Sequence, residues 1–151
     1  MTPVLLTHPC DVDILARLHA TSFTDLWSAD WIARLMAQPG TYAYLVDGDV
    51  GGFILARVAG DEAEVLTLAV VPAARRRGIG TILLRAAAEK ARQMGAETMF
   101  LEVAQANEAA KALYIRLGFA EVARRRGYYG DKVGDGGDAV ILSVKLPLIW
   151  L

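Results

Sequence analysis

The chain has 151 residues, 54% of them apolar, and a formal charge of −1. That length bounds it at one domain that buries roughly two-thirds of its unfolded surface, and the apolar content excludes a disordered chain. The near-zero charge argues against a dedicated nucleic-acid binder, in spite of the local runs Arg75-Arg76-Arg77 and Arg124-Arg125-Arg126.

In chain order, residues 4–7 read as a first strand. Asp11 is placed to cap a helix with Ile14, Leu15, Leu18 and Phe23 along one side. Ser28 has the chemistry to cap a second helix, with Trp31, Ile32 and Leu35 inward and Pro39-Gly40 stopping it. Residues 41–46 and 50–59 are strands joined by the turn Asp47-Gly48-Asp49, and Gly60-Asp61 leads into a further strand over 64–71. A helix over 80–94 carries Ile82, Leu83, Ala86, Ala87 and Lys90 at helical spacing and ends at Gly95. A strand over 98–103 follows, then a helix over 107–117 closed by Gly118. Strands over 120–128 and 139–146, antiparallel about the glycine-rich turn 134–137, complete the chain. This order predicts an α/β three-layer architecture, a mixed sheet with helices on both faces. No repeat or linker interrupts residues 1–151, so a single domain is expected.

Cys10 is the single cysteine and closes no internal disulfide, which fits a reducing compartment. His8 and His19 lack the spacing of a metal site, so no metal is expected. No apolar run approaches the ~18 residues of a membrane span, and the N-terminus lacks a basic-then-apolar signal. A cytoplasmic protein without membrane partners is the expectation. The apolar tail Leu146-Pro147-Leu148-Ile149-Trp150-Leu151 should pack on the domain or on a partner subunit, giving a monomer or a weak homodimer.

The stretch from Val70 to Thr81 carries the chemistry. An apolar strand ends at Pro72, three arginines follow, and Gly78-Ile79-Gly80 opens a helix. Glycine lets a backbone come close to a ligand, and a helix N-terminus presents unpaired N–H groups with partial positive charge. Arginine adds fork-shaped donors, so the stretch suits a phosphorylated ligand. Spacing then separates the designs. A nucleoside-triphosphate loop needs lysine after its last glycine, and Thr81 stands there. A dinucleotide fingerprint needs a third glycine where Leu83 stands. Arg75-x-x-Gly78-x-Gly80 remains.

A second constellation follows. Side chains alternate along a strand, so Glu102 shares a face with Phe100, opposite Leu101 and Val103. Glu102 is either a strand-end charge in water or a carboxylate held for a purpose. Asn107, Lys111 and Tyr114 lie along one face of the next helix, and Ala109, Ala110 and Ala112 permit close approach by a neighbour. Asn107 suits an N-cap, a ligand contact or both; Lys111 is expected to face solvent.

These residues together resemble the GNAT N-acetyltransferases. The pattern Gln/Arg-x-x-Gly-x-Gly/Ala is that family's pyrophosphate loop. The likeness extends to the RimI type, which acetylates the N-terminal α-amine of a ribosomal protein. It runs through Phe23-x-x-Leu26-Trp27-Ser28, Leu101-Glu102-Val103, the Ala-Leu-Tyr and Leu-Gly-Phe of residues 107–119, Arg124-Arg125-Arg126-Gly127-Tyr128-Tyr129 and Asp138-Ala139-Val140-Ile141. Leu26, Gly127 and Gly137 depart from the subgroup's usual proline, asparagine and glutamate, and all three lie outside the cofactor loop.

The resemblance implies a GNAT-type α/β/α fold with a centrally splayed sheet and acetyl-CoA where the strands part. It implies that backbone groups at Leu68, Ala69 and Val70 bind the pantetheine arm and thioester. Arg75 opens the motif, and the loop Arg76, Arg77, Gly78, Ile79, Gly80 and Thr81 would hold the pyrophosphate. Asn107 would contact the cofactor, Glu102 would be the general base through water, and Tyr114 would be an acid or an orienting group at the departing thiolate. No covalent intermediate is implied. An α-amine with pKa near 8 is roughly a tenth neutral at pH 7, against well under a thousandth of a lysine amine, so one carboxylate suits the former. From the residues themselves, the glycine-rich stretch 130–138 reads as a loop over the acceptor, Asp131, Asp135 and Asp138 either attract an ammonium group or are solvated, and Tyr128 and Tyr129 either frame an extended peptide or cover the sheet edge. The leading reading is protein N-terminal acetylation; the alternatives are a small-amine acetyltransferase (amino acid, polyamine or drug) and a non-catalytic acyl-CoA-binding module.

Overall fold

The structure is a computed structural model of the chain and describes residues 1–6, 12–23, 26–127 and 137–149. Its elements in order are β1 (Val4–Leu6), α1 (Val12–Ala20), α2 (Ala29–Met36), β2 (Thr41–Val46), β3 (Gly52–Ala59), β4 (Glu62–Val70), α3 (Ile79–Gln93), β5 (Thr98–Ala104), α4 (Glu108–Arg116), β6 (Ala120–Arg125) and β7 (Ala139–Lys145). The strands form one mixed sheet in the order β1-β2-β3-β4-β5-β7-β6. Among the described residues, β4 and β5 alone run parallel and every other neighbouring pair is antiparallel. The α/β three-layer expectation holds: α3 and α4 cover one face, and α1 and α2 the other. β7 lies between β5 and β6, so β6 becomes an edge strand, and all six of its residues are exposed.

Each helix buries the stripe its spacing dictates. In α1 the inward residues are Leu15, Leu18 and His19, and the helix ends before Phe23, which is 41% exposed. His19 stacks instead between the rings of Phe23 at 4.4 Å and Trp27 at 4.6 Å. Ser28 caps α2 as expected, accepting the N–H of Trp31 at 3.1 Å. Ile32, Leu35 and Met36 point inward, and Trp31, about 100° around the helix from Ile32, is 43% exposed rather than buried. The buried stripe of α3 is Ile79, Leu83, Leu84, Ala87, Ala88 and Ala91. It lies one position beyond the expected stripe, and Ile82 packs only at its margin. Tyr42 ties β2 to α3 by donating its hydroxyl to the carbonyl of Ala87, and burial pushes its pKa up. From the tail, Leu148 packs in the same core, while Ile149 is exposed. The expected cap Asp11, together with His8, Cys10, Tyr128, Tyr129, Asp131, Asp135 and Trp150, lies outside the described residues.

One irregularity in β4 creates the site. Against β3, Thr67 pairs with Leu55 and Val65 with Ala56, so Leu66 is an extra residue, a β-bulge. A one-residue slip sends later side chains to the opposite face. Ala63 and Val65 accordingly pack toward α3, whereas Ala69 packs toward α1 and α2. Leu68 and Val70 then face the α3 side. Pairing with β5 covers only Glu62↔Thr98, Ala63↔Met99 and Glu64↔Phe100, after which no register joins the two strands. The sheet is splayed there, as the resemblance implied.

Gly40 anchors the entry to this sheet. Its φ is +82°, and a Cβ would meet the carbonyl oxygen of Val58 at 2.1 Å. Left-handed backbone costs a residue other than glycine about 1–2 kcal/mol, and here backbone would also have to move. Gly40→Ala is expected to destabilise the protein by at least about 3 kcal/mol, read from the midpoint of denaturant unfolding.

Candidate active site

The loop between β4 and α3 is built from residues with little conformational choice left. A single 3₁₀ turn, Pro72–Ala74, ends β4, and Arg75 is extended with φ −68° and ψ 158°. Arg76 has φ +66° and Gly78 φ +82°. For Gly78 that geometry is free of strain; for Arg76 it costs about 1–2 kcal/mol, strain of the kind that collects at functional sites. Gly78 is the N-cap of α3 and supplies no side-chain acceptor. The first α-helical bond runs from the N–H of Ile82 to Gly78 at 3.0 Å, which leaves the N–H groups of Ile79, Gly80 and Thr81 ahead of the helix ladder. Such a turn, followed by an uncapped helix start, is an anion-binding concavity.

Gly80 serves a different purpose from Gly78. A Cβ there would stand 3.0 Å from Leu113 Cδ2, so its bare Cα lets the start of α3 approach α4. Among the described residues, nothing lies within 4 Å of a Cβ built on Gly78. The loop opens on a groove of about 560 Å³ between β4, α3 and α4. Leu68 and Val70 form its floor, Arg76 and residues 78–81 one wall, and Asn107, Ala110, Leu113 and Tyr114 the other. Asn107 both caps α4, its Oδ1 accepting the N–H of Ala110 at 3.1 Å, and faces the groove.

Two expected cofactor contacts, Ala69 and Arg77, are placed elsewhere, and a third, Arg75, is engaged by the protein itself. Ala69 is buried against α1 and α2, and its carbonyl is beside Gly52 of β3. The N–H of Val71 donates to Gly51, so by alternation along the strand Ala69 also faces β3, and Leu68 and Val70 present their backbone to the splay. Arg77 is exposed and is not part of the groove wall. Arg75 reaches the groove, but its guanidinium donates to the carbonyl of Val70 at 3.1 Å and to Ser22 Oγ at 3.1 Å. Ser22 Oγ donates to the same carbonyl at 3.3 Å. Arg75 is thus a strut between the end of β4 and the segment after α1. Ser22, Phe23, Leu113 and Arg116 border the groove without having been expected. Leu113, one residue before Tyr114, was within reach of the helical spacing; for Ser22, 53 residues from Arg75, the sequence held no signal.

Tyr114 is 7% exposed and lies 5.9 Å from the ring of Phe119. Burial raises its pKa from 10 to about 12. Lys111, expected to face solvent, is 14% exposed and pairs with Glu108 at 3.1 Å, outside the groove.

Glu102 projects from the opposite face of β5, two residues beyond the last β4–β5 pair. It borders a second groove of about 330 Å³, with Phe100 and Ile141 as floor and Arg57, Glu62 and Glu64 at the rim. Glu102 Oε1 accepts from the Arg125 guanidinium, which reaches across β7 from β6. The neighbouring Arg124 donates to Asp138 at 3.1 Å, and Asp138 also accepts the N–H of Gly127 at 2.8 Å. These bonds, led by the Gly127 N–H, hold the Asp138 carboxyl below its usual pKa. The two proposed reacting groups therefore lie on opposite sides of the sheet, beside the gap between β4 and β5.

Comparison with known proteins agrees with this geometry. The acetyltransferase (GNAT) family model matches residues 12–119. A Bacillus subtilis protein named putative ribosomal protein bS18-alanine N-acetyltransferase is 31% identical over 140 residues, 90% of each chain. A Salmonella typhimurium protein named ribosomal protein bS18-alanine N-acetyltransferase is 37% identical over 102 residues, 68% of each. The crystal structure of the ribosomal-protein-S18-alanine N-acetyltransferase from Escherichia coli superposes with a TM-score of 0.82 at 27% identity, covering 99% of this chain and 97% of that one. With a family model matching well over half its length, the chain belongs to the acetyltransferase (GNAT) family.

Proposed function

We propose that this enzyme moves the acetyl group of acetyl-CoA to the N-terminal α-amine of a protein, a ribosomal protein beginning with alanine, in the cytoplasm. The acceptor follows the names of its bacterial relatives, and the compartment follows from the single cysteine, which fits a reducing environment. The observation that carries the reaction is the parting of β4 from β5 after Glu64↔Phe100, with a loop-lined groove on one face and the Glu102 groove on the other. A donor and an acceptor can meet there from opposite sides.

The uncapped start of α3 and the turn at Arg76 and Gly78 bind the diphosphate of the donor. Backbone groups of Leu68 and the N–H of Val70, whose carbonyl is taken by Arg75 and Ser22, hold the arm as a third strand would, which seats the thioester at the gap. Glu102 takes the amine proton through water as the nitrogen bonds to the carbonyl carbon and the carbon–sulfur bond breaks. Tyr114 faces the departing sulfur. With its pKa at about 12, transfer of its proton to a thiolate near 8.5 would be uphill by about 3.5 units. Tyr114 therefore stabilises the thiolate as a hydrogen-bond donor and keeps its proton. No residue in this sequence of events requires a metal.

Tyr114→Phe should lower kcat by about a hundredfold with acetyl-CoA affinity unchanged. In the wild type, the kcat profile should show no alkaline limb from Tyr114 below about pH 11, since it stays protonated until its raised pKa. Stopped-time assays from pH 6 to 10 read both, and unchanged turnover in the variant removes Tyr114 from the mechanism. The function itself is tested with acetyl-CoA and a panel of free-N-terminus peptides, the same peptides blocked at that end, and small amines. Turnover confined to free peptide N-termini supports the reading; turnover of small amines alone overturns it.

A further inference from the structure

Resting on that reading, the geometry points to Arg125 as the residue that selects α-amines over lysine side chains, by offsetting the charge of the base. We infer this from what faces Glu102. Among the described residues, Arg57 comes from β3, Glu62 and Glu64 from β4, the apolar Ile141 from β7, and Arg125 reaches the carboxylate from β6. Arg57 donates to Gln38 Oε1 and stands 4.0 Å from Glu64. Among the described residues, the groove without Arg125 would hold three carboxylates, Glu62, Glu64 and Glu102, against one guanidinium. Such a groove draws and retains any cation, and a lysine side chain at neutral pH is almost wholly cationic.

Arg125 changes that balance where the proton is taken. It occupies one carboxylate oxygen, leaves the other for the water that relays the proton, and reduces the attraction for an ammonium ion. An acceptor that gives up its proton readily is then favoured over one held firmly as an ammonium ion. About a tenth of an α-amine is already neutral at pH 7, against well under a thousandth of a lysine ε-amine. The alternation of faces along β6 makes the assignment to Arg125 specific. Arg125 pairs with Ala139 in the sheet and projects on the Glu102 face, while Arg124 is held by Asp138. Arg125 acts through Glu102, so it is a positioning residue and not a catalytic one. The pair is partly solvated, at 49% and 31% side-chain exposure, so its effect is moderate.

The test compares two peptides, one with a free N-terminus and no lysine, the other blocked at its N-terminus with one lysine. Acetylation of the first by the wild type establishes the underlying reading; its absence would refute that reading and leave Arg125 out of account. Given that activity, Arg125→Gln should narrow the ratio of kcat/KM between the two peptides by about fivefold. The change should come mainly from a lower KM for the lysine peptide. Arg125→Lys, which keeps the charge, should restore the wild-type ratio. An unchanged ratio in Arg125→Gln overturns the inference. So does an Arg125→Lys variant as unselective as the glutamine one, which would make the effect one of shape.

Discussion

Glu102→Gln is expected to lower kcat/KM toward a free-N-terminus peptide by about 10²–10⁴-fold, the range for loss of a positioned base, with acetyl-CoA affinity at its wild-type value. Glutamine keeps the size of the side chain, and Glu102 lies on the opposite side of β5 from the donor groove. The loss should also depend on pH in a definite direction. Below pH 8 most of the α-amine carries the proton that the base must remove, and above it the amine sheds that proton unaided. The deficit should therefore shrink as pH rises from 6.5 to 9, an interval chosen to span roughly the amine's own pKa. Steady-state rates across that interval check it, and a deficit independent of pH would assign Glu102 a role in shape or binding instead.

Gly78→Val is the second large effect, and it falls on the donor. Gly78 has φ +82°, while the space that a Cβ would enter is open within the protein. The cost is therefore conformational, about 1–2 kcal/mol or more for a branched residue, and it is borne by the turn that presents the N–H groups of α3. Either the turn shifts away from its anion-binding shape, or the valine stands where the diphosphate would lie. Calorimetric titration with coenzyme A should give a Kd raised at least about tenfold, equivalent to ~1.4 kcal/mol. Retention of wild-type affinity would mean that the phosphates bind elsewhere.

The order of strands and helices, the caps at Ser28 and Asn107 and the loop at residues 75–80 were legible because each is local chemistry. The faces of β4 were not. Ala63, Val65, Thr67 and Ala69 are all buried, so the alternation runs on unbroken through Leu66 while the side chains change sides. Nothing in that pattern marks the bulge, and hence nothing separates Ala69 from Leu68 and Val70. The same holds for non-local pairing. The insertion of β7 between β5 and β6 places Arg125 beside Glu102, and the bond from Arg75 to Ser22 converts a motif arginine into a strut. Sequence spacing reports which residues share an element; it is silent on which element will lie alongside.

The central claim is that a donor held by the Arg76–Gly78 turn and an acceptor at Glu102 meet across the gap between β4 and β5. Its most direct measurement is fragmentation mass spectrometry of a peptide that begins with alanine and carries one internal lysine, after incubation with the enzyme and acetyl-CoA. The account predicts an acetyl group on the alanine nitrogen and an unmodified lysine. Acetyl on the lysine alone, or on neither amine, would contradict it.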